Sequence, residues 1–248
     1  MTQEETLEVN RLMTEHSIPC DSIWLDIEYT ENKKYFTWDH STFPKAKEML
    51  ADLIKEGRKL VTIIDPHIKK DEEYFLYKEM IDKKLYVLDA TGEEPYVGWC
   101  WPRTSIWLDF MNPKAREYLS SLYVKRPEAI EGSQENDSYI FTDPNVHIWN
   151  DMNEPACFDP YEKSMAKANI HNFGDGKGTY EHREVHNLYG YYNTMATYEG
   201  LLQRTGGKER PFILTRSFFA GSQKYSAMWS GDCRSDWEHF NLGIPILL

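Results

Sequence analysis

The chain has 248 residues, enough for one large α/β domain, or two small ones, with a sizeable core. Its 41% hydrophobic and 14% aromatic content argues against a disordered chain, and its net charge of −12 argues against a general binder of nucleic acid or anionic membrane, which needs basic surface. No apolar run approaches the roughly 20 residues needed to span a bilayer, and the acidic N-terminus is not a signal peptide, which favours the cytoplasm if the chain is complete.

In chain order, residues 4–17 read as a helix with Val9, Leu12 and Met13 on one side. DSIWLDIEYT (21–30) is a buried strand ended by a polar turn. A helix over 44–57 stops at Gly57, and KLVTIIDPH (59–67) is a second buried strand. Residues 78–102 read as a short helix and a strand–turn–strand excursion, SIWLDFMNP (105–113) as a third strand-like run, and 113–124 as the helix behind it. The polar stretch 125–138 is a surface loop carrying the glycosylation sequon Asn136-Asp137-Ser138. A strand at 145–149 follows, then a long loop over 156–178 and a helix near 181–203. Strands at 210–219 and 225–232 precede a last helix.

Apolar strands alternating with helices predict a mostly parallel sheet covered on both faces. No GxGxxG follows the first strand, so a dinucleotide fold is disfavoured. The strands end in functional groups: Asp26, Asp65, Asp151, Arg216 and Asp232 each stand at the C-terminal end of an apolar run. A (β/α) barrel builds its active site from those ends. The four cysteines (Cys20, Cys100, Cys157, Cys233) have neither CxxC nor zinc spacing and read as buried free thiols beside strands.

Two carboxylates on separate strand ends, with an arginine and several tryptophans, match the needs of glycoside hydrolysis. One attacks the anomeric carbon and the other protonates the leaving oxygen. A second reading has Asp26, Asp65, Asp151 and Asp232 converge on a divalent cation, but Arg216 would place positive charge in the same space. HREVH (182–186) has two histidines at i, i+4, yet Glu184 is not where a zincin needs it, so a packed helix face is the better account. His67 reads as a second-layer residue. Glu154 competes with Asp151 as nucleophile but lies further past the strand end, next to Pro155, where a structural role is expected.

WNDMNEP (149–155), together with LTRSFFAGSQKYSAMWSGD (214–232), closely resembles the signature of glycoside hydrolase family 31. IPCDSIWLDIEY, IDPHIK, GWCWP and EHREVHNLYG resemble its neutral α-glucosidase subgroup, which includes the catalytic subunit of glucosidase II. The resemblance implies an α/β fold, a partial (β/α)8 TIM barrel of about strands 2–6. Residues 1–248 would be part of the catalytic barrel of a larger multidomain enzyme, without its N-terminal β-sandwich, its barrel closure or its C-terminal β domains. It implies Asp151 as nucleophile and Asp232 as general acid/base, with Asp26 and Arg216 on the sugar hydroxyls. Ile27, Ile63, Trp101, Trp149, Met152 and Phe158 would form apolar walls. The acid is expected in a dry setting, and Arg216 is expected to lower the pKa of Asp151.

The resemblance further implies a retaining exo-α-glucosidase with no cofactor and no metal, trimming α-linked glucose from N-glycans in the endoplasmic reticulum lumen beside a glucosidase II β-subunit. Two alternatives stand next to it: a starch-, glycogen- or maltose-type α-glucosidase, and an inactive sugar-binding remnant. Arg103 and Cys233 stand where the family usually shows Gly and Asn, and Tyr29 where the subgroup often shows His; each neighbours an expected ligand contact.

Overall fold

The computed structural model of the protein describes residues 1–124, 140–174, 176 and 178–247; the predicted loop at 125–138 and its sequon lie outside them. Helix α1 (Gln3–Glu15) leads to β1 (Ser22–Leu25), α2 (Ala46–Lys55) and β2 (Lys59–Ile63). An excursion follows with β3 (His67–Lys69), α3 (Phe75–Asp82), β4 (Gly98–Cys100) and β5 (Arg103–Trp107), before α4 (Pro113–Leu122) returns the chain to β6 (Val146–Asn150). A second excursion holds β7 (Ile170–Asn172), β8 (Thr179–Glu181) and α5 (His182–Val185), closed by α6 (Tyr189–Arg204). Then come β9 (Ile213–Thr215), β10 (Ala227–Met228) and α7 (Trp237–Leu247).

Strands β1, β2, β6, β9 and β10 form one sheet in that order, and every neighbouring pair is parallel. The run at 105–113 is not one of them. Its first residues, as the end of β5, pair antiparallel with β3 and β4 in a separate three-stranded sheet, so this run does not join the parallel strands. Short apolar runs carry no information on direction.

Side chains alternate between the two faces of each parallel strand, with β2 buried on both. Ile23, Leu25, Val146, Ile148 and Ile213 are buried on the helix side, with Met49, Leu50 and Leu53 of α2 in the same core. The opposite face carries Trp24, Val61 and His147 on one register line and Ile63, Trp149, Leu214 and Ala227 on the next. Trp24 meets Trp149 and Phe212 at ring distances of 6.3 and 6.1 Å, and Trp149 meets Trp229 at 5.8 Å.

Helix α1 differs from its expected packing. Val9 and Leu12 are exposed, while Thr6 and Asn10 are buried. The buried Arg58 guanidinium donates to both the backbone and side-chain oxygens of Asn10 and, at 2.8 Å, to Thr14, so a polar seam attaches the helix. The thiols differ too: Cys100 and Cys157 are buried as expected, Cys20 is half-buried and Cys233 is exposed.

Candidate active site

Side chains along a strand alternate between faces, so the residues two past Trp24, Ile63, Trp149 and Leu214 share the open face. Those residues are Asp26, Asp65, Asp151 and Arg216. Arg216 is the hub. Its Nε and Nη2 donate to Glu154 Oε1 and Oε2 at 2.7 and 3.0 Å, and Nη2 also contacts Met152 Sδ at 3.0 Å. Its Nη1 lies 3.1 Å from Asp151 Oδ1 and 3.7 Å from Asp232 Oδ2, which puts those two oxygens less than 7 Å apart. Glu154 takes the well-aligned hydrogen bonds; the Asp151 contact is an ion pair, and Asp151 Oδ1 has no hydrogen-bond donor among the described residues.

The two acids sit in different surroundings. The Asp151 side chain is 11% exposed and that of Asp232 is 96% exposed. The dry setting expected for the acid is therefore not the one observed, because Asp232 stands past the short strand β10 in a segment that packs against little. Asp151 also departs from expectation. Burial raises its pKa to about 6, outweighing the pull of Arg216 and of the Met152 backbone N–H. Burial works against the charge on Arg216, but Glu154, Asp151 and Asp232 together push its pKa above the ordinary arginine value.

Asn153 is the buried peg behind this group. Its Nδ2 donates to Asn193 Oδ1 at 3.1 Å and Thr215 Oγ1 at 2.9 Å, and its Oδ1 accepts from Ser217 N at 3.0 Å. One side chain thus ties the end of β6 to α6 and to the end of β9. Met152 beside it has φ +57°, a left-handed backbone uncommon away from glycine. Asp26 caps the following turn through Ile27 N at 2.6 Å. Ile27 and Ile63 are buried, Trp149 is half-buried, and Trp101 is exposed with its ring 4.9 Å from Phe158. That last pair comes from the two excursions, which meet where Phe158 N donates to Trp99 O at 2.7 Å and Trp99 N to Asp159 Oδ1 at 2.9 Å.

Two hydrogen-bonded groupings were not singled out from the sequence. The Tyr35 hydroxyl bonds to Asp65 Oδ2 and lies 3.1 Å from His67 Nε2. HREVH forms part of a second buried series: Asp109 Oδ1 to His171 Nδ1 at 2.7 Å, His171 Nε2 to His182 Nδ1 at 2.9 Å, and His182 Nε2 to His186 Nδ1 at 2.7 Å. Asp109 also accepts from the Met111 and Asn172 backbone N–H groups, so His171 Nδ1 donates to it and each ring passes the same orientation outward. The imidazoles bond to each other; among the described residues no three His, Cys, Asp or Glu side chains converge on a metal position. Only the strand-end pattern pointed toward Asp65; Tyr35 and Asp109 carried no local signal. Arg103, which stands where the family usually shows Gly, has a φ of +77°.

The description "Glycosyl hydrolases family 31 TIM-barrel domain" matches residues 1–248. The chain belongs to glycoside hydrolase family 31. Its five parallel strands are part of the family 31 (β/α)8 barrel. Among curated relatives it is 47% identical to the probable glucan 1,3-alpha-glucosidase of Oryza sativa subsp. japonica, over 99% of this chain and 25% of that protein. It is 48% identical to neutral alpha-glucosidase C of Macaca fascicularis, over 99% of this chain and 30% of that protein. A crystal structure of glucosidase II alpha subunit, DNJ-bound, superposes with a TM-score of 0.86 at 44% identity, over 99% of this chain and 25% of that one. The chain thus spans roughly a quarter of the length of these family 31 proteins.

Proposed function

We propose that this chain carries the catalytic groups of a retaining, exo-acting α-glucosidase, with Asp151 as nucleophile and Asp232 as general acid/base. The observation that carries the reading is the placement of these two carboxylates, from β6 and β10, on one nitrogen of Arg216. Asp151 bonds to the anomeric carbon as the glycosidic C–O bond breaks, and the departing oxygen takes its proton from Asp232. Asp232 then accepts a proton from the water that attacks the anomeric carbon, and Asp151 leaves as carboxylate. Asp26 and Arg216 hold sugar hydroxyls; Ile27, Ile63, Trp149, Met152, Trp101 and Phe158 supply the apolar walls.

Terminal α-1,3-linked glucose is the proposed substrate, in N-glycan trimming. Support comes from relatives named glucan 1,3-alpha-glucosidase and from glucosidase II alpha subunit structures described as alpha3-Glc2-bound and Glc1Man2-bound. A regulatory β-subunit as partner and the endoplasmic reticulum lumen as location are proposed on the similarity to an ER glucosidase II heterodimeric complex, 43% identical with a TM-score of 0.85. Residues 1–248 act in this reading as the acid-bearing part of a longer barrel flanked by β domains.

The test is intact-mass spectrometry with peptide mapping after exposure to a fluorinated α-glucosyl fluoride. It is run on this chain and on a full-length version, with Asp151→Ala as control. An adduct on Asp151 is expected in the full-length protein. If that protein stays unlabelled, the catalytic reading fails and a sugar-binding remnant replaces it; cleavage of maltose in preference to an α-1,3 disaccharide would replace the substrate.

A further inference from the structure

Of the four ionisable groups aligned on the open face, Asp65 is the one with no part in the chemistry proposed above. Its position is set by the sheet. Ile63 is the register partner of Trp149, and Ile64 N donates to Trp149 O at 2.9 Å, so Asp65 and Asp151 are the next same-face neighbours on adjacent parallel strands. Such strands run roughly 4.8 Å apart. The Asp65 side chain is fully buried. Its Oδ2 bonds to the Tyr35 hydroxyl and lies 3.5 Å from His67 Nε2, while Oδ1 has no hydrogen-bond partner among the described residues. Arg216 lies against Asp151, and among the described residues no lysine or arginine pairs with Asp65.

Two buried carboxylates on neighbouring strands do not both stay ionised when one arginine serves them. We propose that Asp65 is a positioning residue held as the neutral acid: its Oδ2–H donates to Tyr35 Oη, the Tyr35 O–H donates to His67 Nε2, and of the two buried carboxyls only Asp151 is ionised. The inference rests on the reading of Asp151 as nucleophile. The groups facing Asp65 agree with it. Burial and then the charge on Asp151 hold its pKa well above the ordinary carboxylate value, Asp26 adds repulsion, and the Tyr35 hydrogen bond and Arg216 pull the other way. Burial also lowers His67 to about 3, leaving a neutral imidazole to accept from Tyr35. His67 Nδ1 lacks a partner among the described residues whichever way the protons run, so the charge on Asp151 decides the direction. Tyr35 is itself fixed, since the Tyr74 hydroxyl donates to its carbonyl at 2.7 Å.

Infrared spectroscopy of this chain tests the proposal without requiring turnover, so its failure and a failure of the catalytic reading are told apart. At about pH 8, where Asp151 is ionised, the protein is expected to show a neutral-carboxyl C=O band that shifts in D2O and is missing from Asp65→Asn. In Asp151→Asn the like charge is gone, and the band is expected to titrate away lower by about one pH unit or more. Tyr35→Phe removes the acceptor and is expected to move the band to higher frequency, which keeps the test open if Asp65→Asn does not fold. Absence of the band in the unaltered protein, or an unmoved midpoint in Asp151→Asn, overturns the proposal.

Discussion

Arg216 serves Glu154 through two aligned hydrogen bonds and Asp151 through charge alone, so its removal should act on Asp151 electrostatically. Arg216→Met is expected to raise the Asp151 pKa above the value of about 6 it has beside the arginine. Carboxyl NMR titration, or the pH dependence of labelling in the full-length protein, would show the shift toward alkaline pH. Arg216→Lys should restore only part of it, because an ammonium cannot hold Glu154 with two parallel bonds. Arg103 offers a test of the opposite kind. Its φ of +77° favours glycine, the residue usual at that place in the family, so Arg103→Gly is expected to stabilise the protein by about 1 kcal/mol in thermal unfolding. The residues at strand ends were legible in the sequence, since an acid after an apolar run is a local pattern. Their surroundings were not: the burial that raises the pKa of Asp151 and the exposure of Asp232 depend on groups remote in the chain.

Helix α6 is the element that holds the site from behind, and two glycines let it do so. A Cβ on Gly190 would lie 2.7 Å from the carbonyl of Asn153, and one on Gly200 would lie 2.5 Å from that of Ser120. The second contact belongs to the α4–α6 interface, where Ser120 Oγ donates to Ala196 O at 2.7 Å. Gly200→Ala is therefore expected to destabilise by about 1–3 kcal/mol despite the better helix propensity of alanine, read from denaturant melts. Helices and strands were legible as elements, because apolar periodicity is local. Pairing was not. The run 105–113 has the composition of a barrel strand, and only its antiparallel partners β3 and β4 remove it from the barrel. Likewise α1 has an apolar side, yet Arg58 attaches it by its polar one.

For the molecule as a whole, buried imidazoles govern the response to acid. Burial lowers His67 and His182 to about 3 and His147 to about 4, so each is neutral in the fold and free to protonate near 6.5 when unfolded. Their contribution is complete above about 6.5 and is lost as pH falls toward the folded values. Asp65 and Asp151 act in the opposite sense, binding protons more readily in the fold, and offset part of this. Burial lowers His186 in the same direction as the other three imidazoles, so the unfolded chain binds more protons than the fold as pH falls below about 6.5. Stability should therefore fall as pH drops from about 6.5 toward 4, measured by thermal melts across that range.

The same view makes α7 a liability: Trp237, Phe240 and Ile244 are 79%, 72% and 69% exposed. This chain is expected to self-associate with concentration in sedimentation experiments, and Trp237→Lys with Phe240→Glu to suppress it.

The alternation that puts Asp26, Asp65, Asp151 and Arg216 on one face also dictates which length changes the chain tolerates. One residue inserted between α4 and β6, if it shifts the strand's register, turns Trp149 and Asp151 into the helix layer and brings Ile148 and Asn150 to the open face. Insertions in the excursions after β2 and β6 leave that parity untouched and move only what hangs from them, Trp101 and Phe158. Family members can thus lengthen or trim these two segments to admit a different sugar while the charged groups stay where they are.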